Sequence, residues 1–305
     1  MQNTPKNKLD GWLVIDKPIG MGSTTVVTKL KHYLHPAKIG HAGTLDPLAT
    51  GVLPIALGQA TKLIPFVMDG AKEYEFEVAW GSETTTDDLG GAVIQSSDKR
   101  PSAADIQKIL PGFHGDILQT PPAYSALKIN GKRAYDLARA GQDVPLKPRI
   151  VAVAELRIVS HAADKTTFFV RCGKGTYVRS LAHDMGRALG CYGVVSALRR
   201  TRCGPFRISD AISLDFFEKT KYNADALPMH PIATALDDIL VLAVNEEQAR
   251  RLKQGQRIPL AEFEHTLPQV EQDAVLQATC GGRLIALIKN KDGVIHPYRV
   301  LASDD

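Results

Sequence analysis

A single carboxylate stands in "GHAGTLDPLATG", residues 40 to 51: Asp46 is the only Asp or Glu between Asp16 and Asp69. Two readings fit a lone acid in a glycine-rich, largely apolar stretch. In the structural one, Asp46 caps a helix that has Pro47 in its first position, or opens a turn. In the chemical one, a loop stiffened by Gly40, Gly43 and Pro47 presents the carboxylate to a substrate. A carboxylate can act as a covalent nucleophile with no cofactor. It must be ionised to attack, and a guanidinium beside it favours the charged form.

The chain offers little other chemistry. His41 has no His, Cys or carboxylate at ligand spacing apart from Asp46, so no metal site is expected there. There is no G-x-x-x-x-G-K-[ST], no H-E-x-x-H and no G-x-S-x-G, and "GKGTYV" lacks the third glycine of a dinucleotide fingerprint. No cofactor is expected. Cys172, Cys191, Cys203 and Cys280 lie far apart with no C-x-x-C pair, which speaks against a zinc ribbon or a redox motif.

Basic charge is concentrated. From Arg171 to Arg207 the chain holds eight Lys or Arg against one acid, Asp184, although the net charge of the whole chain is only +4. A solvated helix face usually mixes both signs. A one-sign block rich in arginine points to polyanion contact. Lys174, Arg199, Arg200 and Arg202 are the candidates for phosphate contact here. A second basic stretch, "KINGKRAYDLARAGQDVPLKPR", adds Lys132 and Arg133.

The elements that must hold these residues read from periodicity and breakers. "GWLVIDKP" is a strand ended by Pro18, and "STTVVTKLKHYL" a helix with Ser23 as N-cap. "GVLPIALG" is a short buried strand, and "QATKLIPFVM" reads as a helix. In "KEYEFEVAWG" Tyr74, Phe76, Val78 and Trp80 share one face and Glu73, Glu75 and Glu77 the other, the mark of a half-buried strand. Tyr74 is therefore either a core aromatic or an exposed platform. "TTDDLGG" turns the chain, and Asn130-Gly131 signals a hairpin. "VAVAELRIVS" and "TTFFVRC" read as strands, and "TYVRSLAHDMGRALG" as a helix with Leu181, Met185 and Leu189 in its apolar stripe. "GVVSALRRTRCGPF" starts strand-like and becomes basic.

With 305 residues, 44% hydrophobic and 23% charged, the chain is an ordinary globular one of two domains. The pattern changes between residues 220 and 240. The expected division is a catalytic unit over 1–240 and a small, mostly β unit over 241–305. No apolar run is long enough for a membrane span, and "MQNTPKNKLDGW" is not a signal peptide, so a cytoplasmic protein is expected.

Taken in order, "GWLVIDKPIGMGS", "KIGHAGTLDPLATGVLPIALGQATKL", "KEYEFEVAWG", "TPPAYSALKINGKRAYDLARAG", "KGTYVRSLAHDMG" and "LRRTRCGPF" resemble the bacterial tRNA pseudouridine synthase B family. The likeness runs from about residue 11 to about 210, with "GMGS" in place of the family's usual "GMTS". It implies an α+β catalytic domain with a mixed or antiparallel sheet flanked by helices. It also implies an RNA-clasping insertion at about 124–150 and a small PUA-like RNA-binding domain.

The implied activity is isomerisation of uridine 55 in the T loop of tRNA, with the target base flipped out of the loop. The same resemblance makes Asp46 the nucleophile and Arg179 its ion-pair partner. It has His41, Tyr74, Tyr177 and Leu198 line the uridine pocket. Tyr74 offers a flat surface for the base and is a candidate helper in removing the C5 proton. The sequence leaves open whether Asp46 attacks ribose C1′ or base C6, or induces elimination. The expected partner is the T arm of tRNA, with no membrane, no obligate protein partner and a monomeric chain. Two alternatives stand beside this: a tRNA-binding and folding chaperone, and a synthase acting on another RNA.

Overall fold

The computed structural model describes residues 7–125, 127–129, 131–142, 144–219, 227–263 and 271–301. Its centre is a ten-stranded mixed sheet. The strand Gly193–Cys203 runs through the middle, parallel to Ala49–Leu57 on one side and antiparallel to Lys72–Trp80 on the other. Gly11–Lys17 lies beyond Ala49–Leu57, and Lys165–Cys172, Arg149–Ala162 and Gly115–Gln119 extend the sheet past Lys72–Trp80.

The alternation in Lys72–Trp80 sends Phe76, Val78 and Trp80 into the core, where Phe76 stacks on Phe168. The helix Val178–Leu189 packs on the same core through Leu181, Met185 and Leu189, and Gly190 ends it in a left-handed conformation that its missing Cβ permits. The helix Ser23–Leu34 buries Val26, Leu30 and Leu34 against the other half of the sheet. Ser23 is not its cap as expected. Gly22 holds that position, and the Ser23 hydroxyl bonds the backbone of Leu45 instead. The stretch 58–69 is a 3-10 turn followed by the short helix Ile64–Asp69.

The expected hairpin forms between Lys128–Ile129 and Lys132–Arg133. From Val241 the chain builds a separate five-stranded sheet, joined by the helix Glu246–Lys253, with its own core around Leu252, Ile258 and Ile288. Leu287 of this sheet packs instead into the core of the large sheet, with Trp12 and Leu236. No described helix is long and apolar enough to cross a membrane.

Candidate active site

Sheet register assembles the site from distant segments. Leu198 pairs with Ala49, three residues after Asp46, and also with Phe76, two residues after Tyr74. Arg200 pairs with both Gly51 and Tyr74. The loop 42–48, the tyrosine and the apolar wall thus meet because one central strand borders both of their strands.

The Asp46 loop is tied down from three sides. The Ser23 hydroxyl accepts from Leu45 N at 2.8 Å and donates to Leu45 O at 3.0 Å. The fully buried Lys17 ammonium donates to the carbonyls of Met21 at 2.6 Å and Pro47 at 3.4 Å. Burial lowers that ammonium to about 8, against a rise from the nearby Asp46 charge. On the third side Arg200 donates to the carbonyls of Val52 at 2.8 Å and Gly43 at 3.0 Å. Gly51, at φ +100°, lies so close to the Arg200 backbone that a Cβ would collide with it.

Arg179, at the start of its helix, is almost fully buried, and its guanidinium is spent on three groups. Nε stands 2.9 Å from Asp46 Oδ2, Nη1 donates to Thr86 O and Nη2 to Tyr124 O, both at 2.8 Å. Asp88 Oδ2 is 4.0 Å from Nε, and its other oxygen takes the Thr86 hydroxyl and the Gly90 amide. The turn "TTDDLGG" therefore holds the arginine that holds the aspartate. Nothing local in that turn marks it as more than a loop, and the signal lies only in its tertiary partners.

Asp46 opens on a cavity of about 350 Å³, at the small end of ligand pockets, which run roughly 300–1,000 Å³. Tyr74, Tyr177, Leu198 and Arg179 are in its wall. The buried Lys72 is there too, its ammonium on the carbonyls of Met68 and Gly70 and its pKa lowered by burial. Tyr74 is half-buried, and the positive charge of Arg200 acts on its hydroxyl. Burial pushes this phenol up to about 12, against a smaller opposing pull from Arg200. At neutral pH the proton stays on, so Tyr74 offers a face and a hydrogen bond, not a ready base. We expect Tyr74→Phe to keep readily measured turnover and Tyr74→Leu to fall at least about tenfold below it. A Phe variant as inactive as Leu in single-turnover assays would show that the hydroxyl itself takes part.

Two expectations are corrected. His41 is not in the cavity wall. It lies on the strand Ile39–His41, paired with Ile55, and burial with Arg200 nearby lowers its pKa. Arg200 is only 1% exposed, so it braces the loop from inside and cannot meet RNA phosphates. The one-sign block is also mostly neutralised by acids from other segments. Arg171 meets Glu155, Arg187 meets Glu83, Arg199 meets Asp16 at 2.7 Å and Arg202 meets Glu73 at 3.4 Å. Lys174 is exposed and paired with Asp69 at 3.0 Å. The side chains of Lys132 and Arg133 lie outside the described residues.

Comparison with known proteins gives this geometry its class. The profile for the N-terminal domain of TruB family pseudouridylate synthases matches residues 31–178. The profile for the tRNA pseudouridylate synthase B C-terminal domain matches residues 179–241. The fold and the matched segments are those of a pseudouridylate synthase. The tRNA pseudouridine synthase B of Rhodopseudomonas palustris is 50% identical over 304 residues, 97% of this chain and 81% of that protein. That of Sinorhizobium medicae is 48% identical over 307 residues, 98% of each.

The chain belongs to the TruB family. Its fold is shared with a chain in the solved structure of an H/ACA RNP bound to a substrate RNA containing 2′-deoxyuridine. That likeness has a TM-score of 0.75 at 22% identity and covers 97% of this chain and 86% of the other. A chain of a Cbf5-Nop10-Gar1 complex is similar at a TM-score of 0.73 and 23% identity, over 99% of this chain and 91% of that one.

Proposed function

We propose that this chain converts uridine 55 in the T loop of tRNA to pseudouridine, without cofactor, and that Asp46 is the nucleophile. The observation that carries this is the Asp46–Arg179 pair, 2.9 Å apart, at the edge of a cavity walled by Tyr74, Tyr177 and Leu198. The reaction breaks the bond from ribose C1′ to N1 and forms one from C1′ to C5. N1 gains a proton and C5 loses one.

The target base leaves the T loop and enters the cavity, where the Tyr74 ring takes its face and Leu198 its edge. Arg179 fixes Asp46 at one point while the base turns, because its other two donor groups are bound to carbonyls that do not move with the substrate. His41 sits outside this cavity, where a neutral ring can fill the gap left in the T loop by the departed base. On the protein surface Lys174, Arg199 and Arg202 share their charge between carboxylates and tRNA phosphates, and Lys132 and Arg133 reach the T arm from the insertion at 124–150. The catalytic unit spans 1–240, and the β unit at 241–305 adds RNA contact. The enzyme works as a cytoplasmic monomer with no protein partner.

The test is incubation of the purified chain with an unmodified tRNA transcript, followed by mapping of pseudouridine. One modified site, at position 55, is expected. Tight binding with no product would leave a chaperone, and a product elsewhere would overturn the site.

A further inference from the structure

Two buried polar atoms in the wall of this one cavity have no hydrogen-bond partner among the described residues: Ser125 Oγ and Arg149 Nε. Leaving a buried donor unpaired costs about 1–3 kcal/mol, so native structures rarely do it without a reason. Both sites are otherwise well built. Ser125 is 4% exposed, and its neighbour Tyr124 supplies one of the carbonyls that hold Arg179. Arg149 lies over the Tyr177 ring at 5.2 Å and donates through Nη2 to Gly175 O at 2.6 Å. Its orientation is therefore set by groups other than the unpaired Nε. The φ of +82° at Gly175, and the lack of a Cβ there, let the guanidinium lie against that turn.

We infer that Ser125 Oγ and Arg149 Nε are substrate-positioning donors that complete their hydrogen bonds on the two carbonyl oxygens of the target uracil. This rests on the reading of the cavity as the uridine pocket. The chemistry fits the reaction. Uracil is nearly symmetric about its N3···C6 axis, and turning the base about that axis exchanges N1 with C5 and O2 with O4. Two donors aimed at the carbonyl positions therefore bind the base equally before and after it turns. They also stabilise the charge that spreads to O2 and O4 when the bond to ribose breaks. Neither bond holds the base to one orientation, so the pocket positions the ring and still lets it rotate. The residues lie at the two ends of the insertion, 124–150, where the chain leaves the main domain and returns to it.

The test uses full-length enzyme and tRNA assembled by ligation with uridine, 2-thiouridine or 4-thiouridine at the target position, since sulfur is a poor acceptor. Single-turnover rates at saturating tRNA are compared for wild type, Ser125→Ala and Arg149→Lys. Each variant should be about tenfold slower on uridine with tRNA affinity unchanged within about twofold. Each thio substitution should slow wild type by a similar factor. One analogue should then cost Ser125→Ala nothing further, and the other should cost Arg149→Lys nothing further. Ser125→Ala removes one oxygen and Arg149→Lys keeps the charge, and thermal melting checks that both are folded. Additive losses for both analogues in both variants would make these residues structural and overturn the inference. So would a wild type indifferent to sulfur. Failure of wild type on plain uridine would instead overturn the reading of the pocket itself.

Discussion

Asp46→Asn should abolish isomerisation, with an expected fall in single-turnover rate of at least about 10⁴-fold, while tRNA affinity should stay within about threefold. The substitution keeps shape and removes charge and nucleophilicity. The loop should stay in place, because what holds it does not involve the carboxylate: Ser23 on the Leu45 backbone, Lys17 on Pro47 and Arg200 on Gly43. Arg179 loses its charged partner at 2.9 Å but keeps the carbonyls of Thr86 and Tyr124. Affinity for a nucleic acid is expected to come mainly from phosphate contacts spread over a wide surface, to which one amide for carboxylate exchange should matter little. Rate measurements on a radiolabelled transcript and filter binding on the same preparation check both halves. Turnover within about a hundredfold of wild type would remove Asp46 from the nucleophile's role.

The second large effect is expected where the basic block looked like a nucleic-acid surface. Arg200→Met should lower unfolding free energy by about 3 kcal/mol and cut turnover severely, whereas Arg199→Met should cost within about 1 kcal/mol. The two neighbours point to opposite sides of a strand. Arg199 pairs with Asp16 in partly solvated surroundings, with side chains 40% and 34% exposed, where ion pairs contribute little. Arg200 is enclosed, and without it the carbonyls of Val52 and Gly43 lose their partner. Gly43 then loses its tether, and the Asp46 loop loosens with it. Urea unfolding and single-turnover assays distinguish this from RNA contact. A stable Arg200→Met protein whose only defect is weaker tRNA binding would put this guanidinium on the RNA-facing side.

The sequence by itself determined most of the elements and singled out the carboxylate that we propose as the reacting group. Hydrophobic periodicity is a local property, so the strand Lys72–Trp80, the helix Val178–Leu189 and the separate β unit after residue 240 could be read from it. The lone acid of the Asp46 loop and its glycines stood out for the same reason, and the resemblance of whole segments supplied the pairing of Asp46 with Arg179. What the sequence could not determine was where charges are spent. The block Arg171–Arg207 is almost one-signed along the chain, yet Glu73, Glu83, Glu155 and Asp16 reach it from other strands. Arg199 and Arg200 are adjacent in the chain, and only the pleat of Gly193–Cys203 and the loop of Gly43 packed against it leave one partly solvated and the other inside. For the same reason Asp88 and Ser125 carried no local mark, and Arg149 showed only as one charge in a basic stretch. Asp88 faces the guanidinium of Arg179, and Arg149 the Tyr177 ring and the Gly175 carbonyl, tens of positions away, and that proximity exists only in the folded chain.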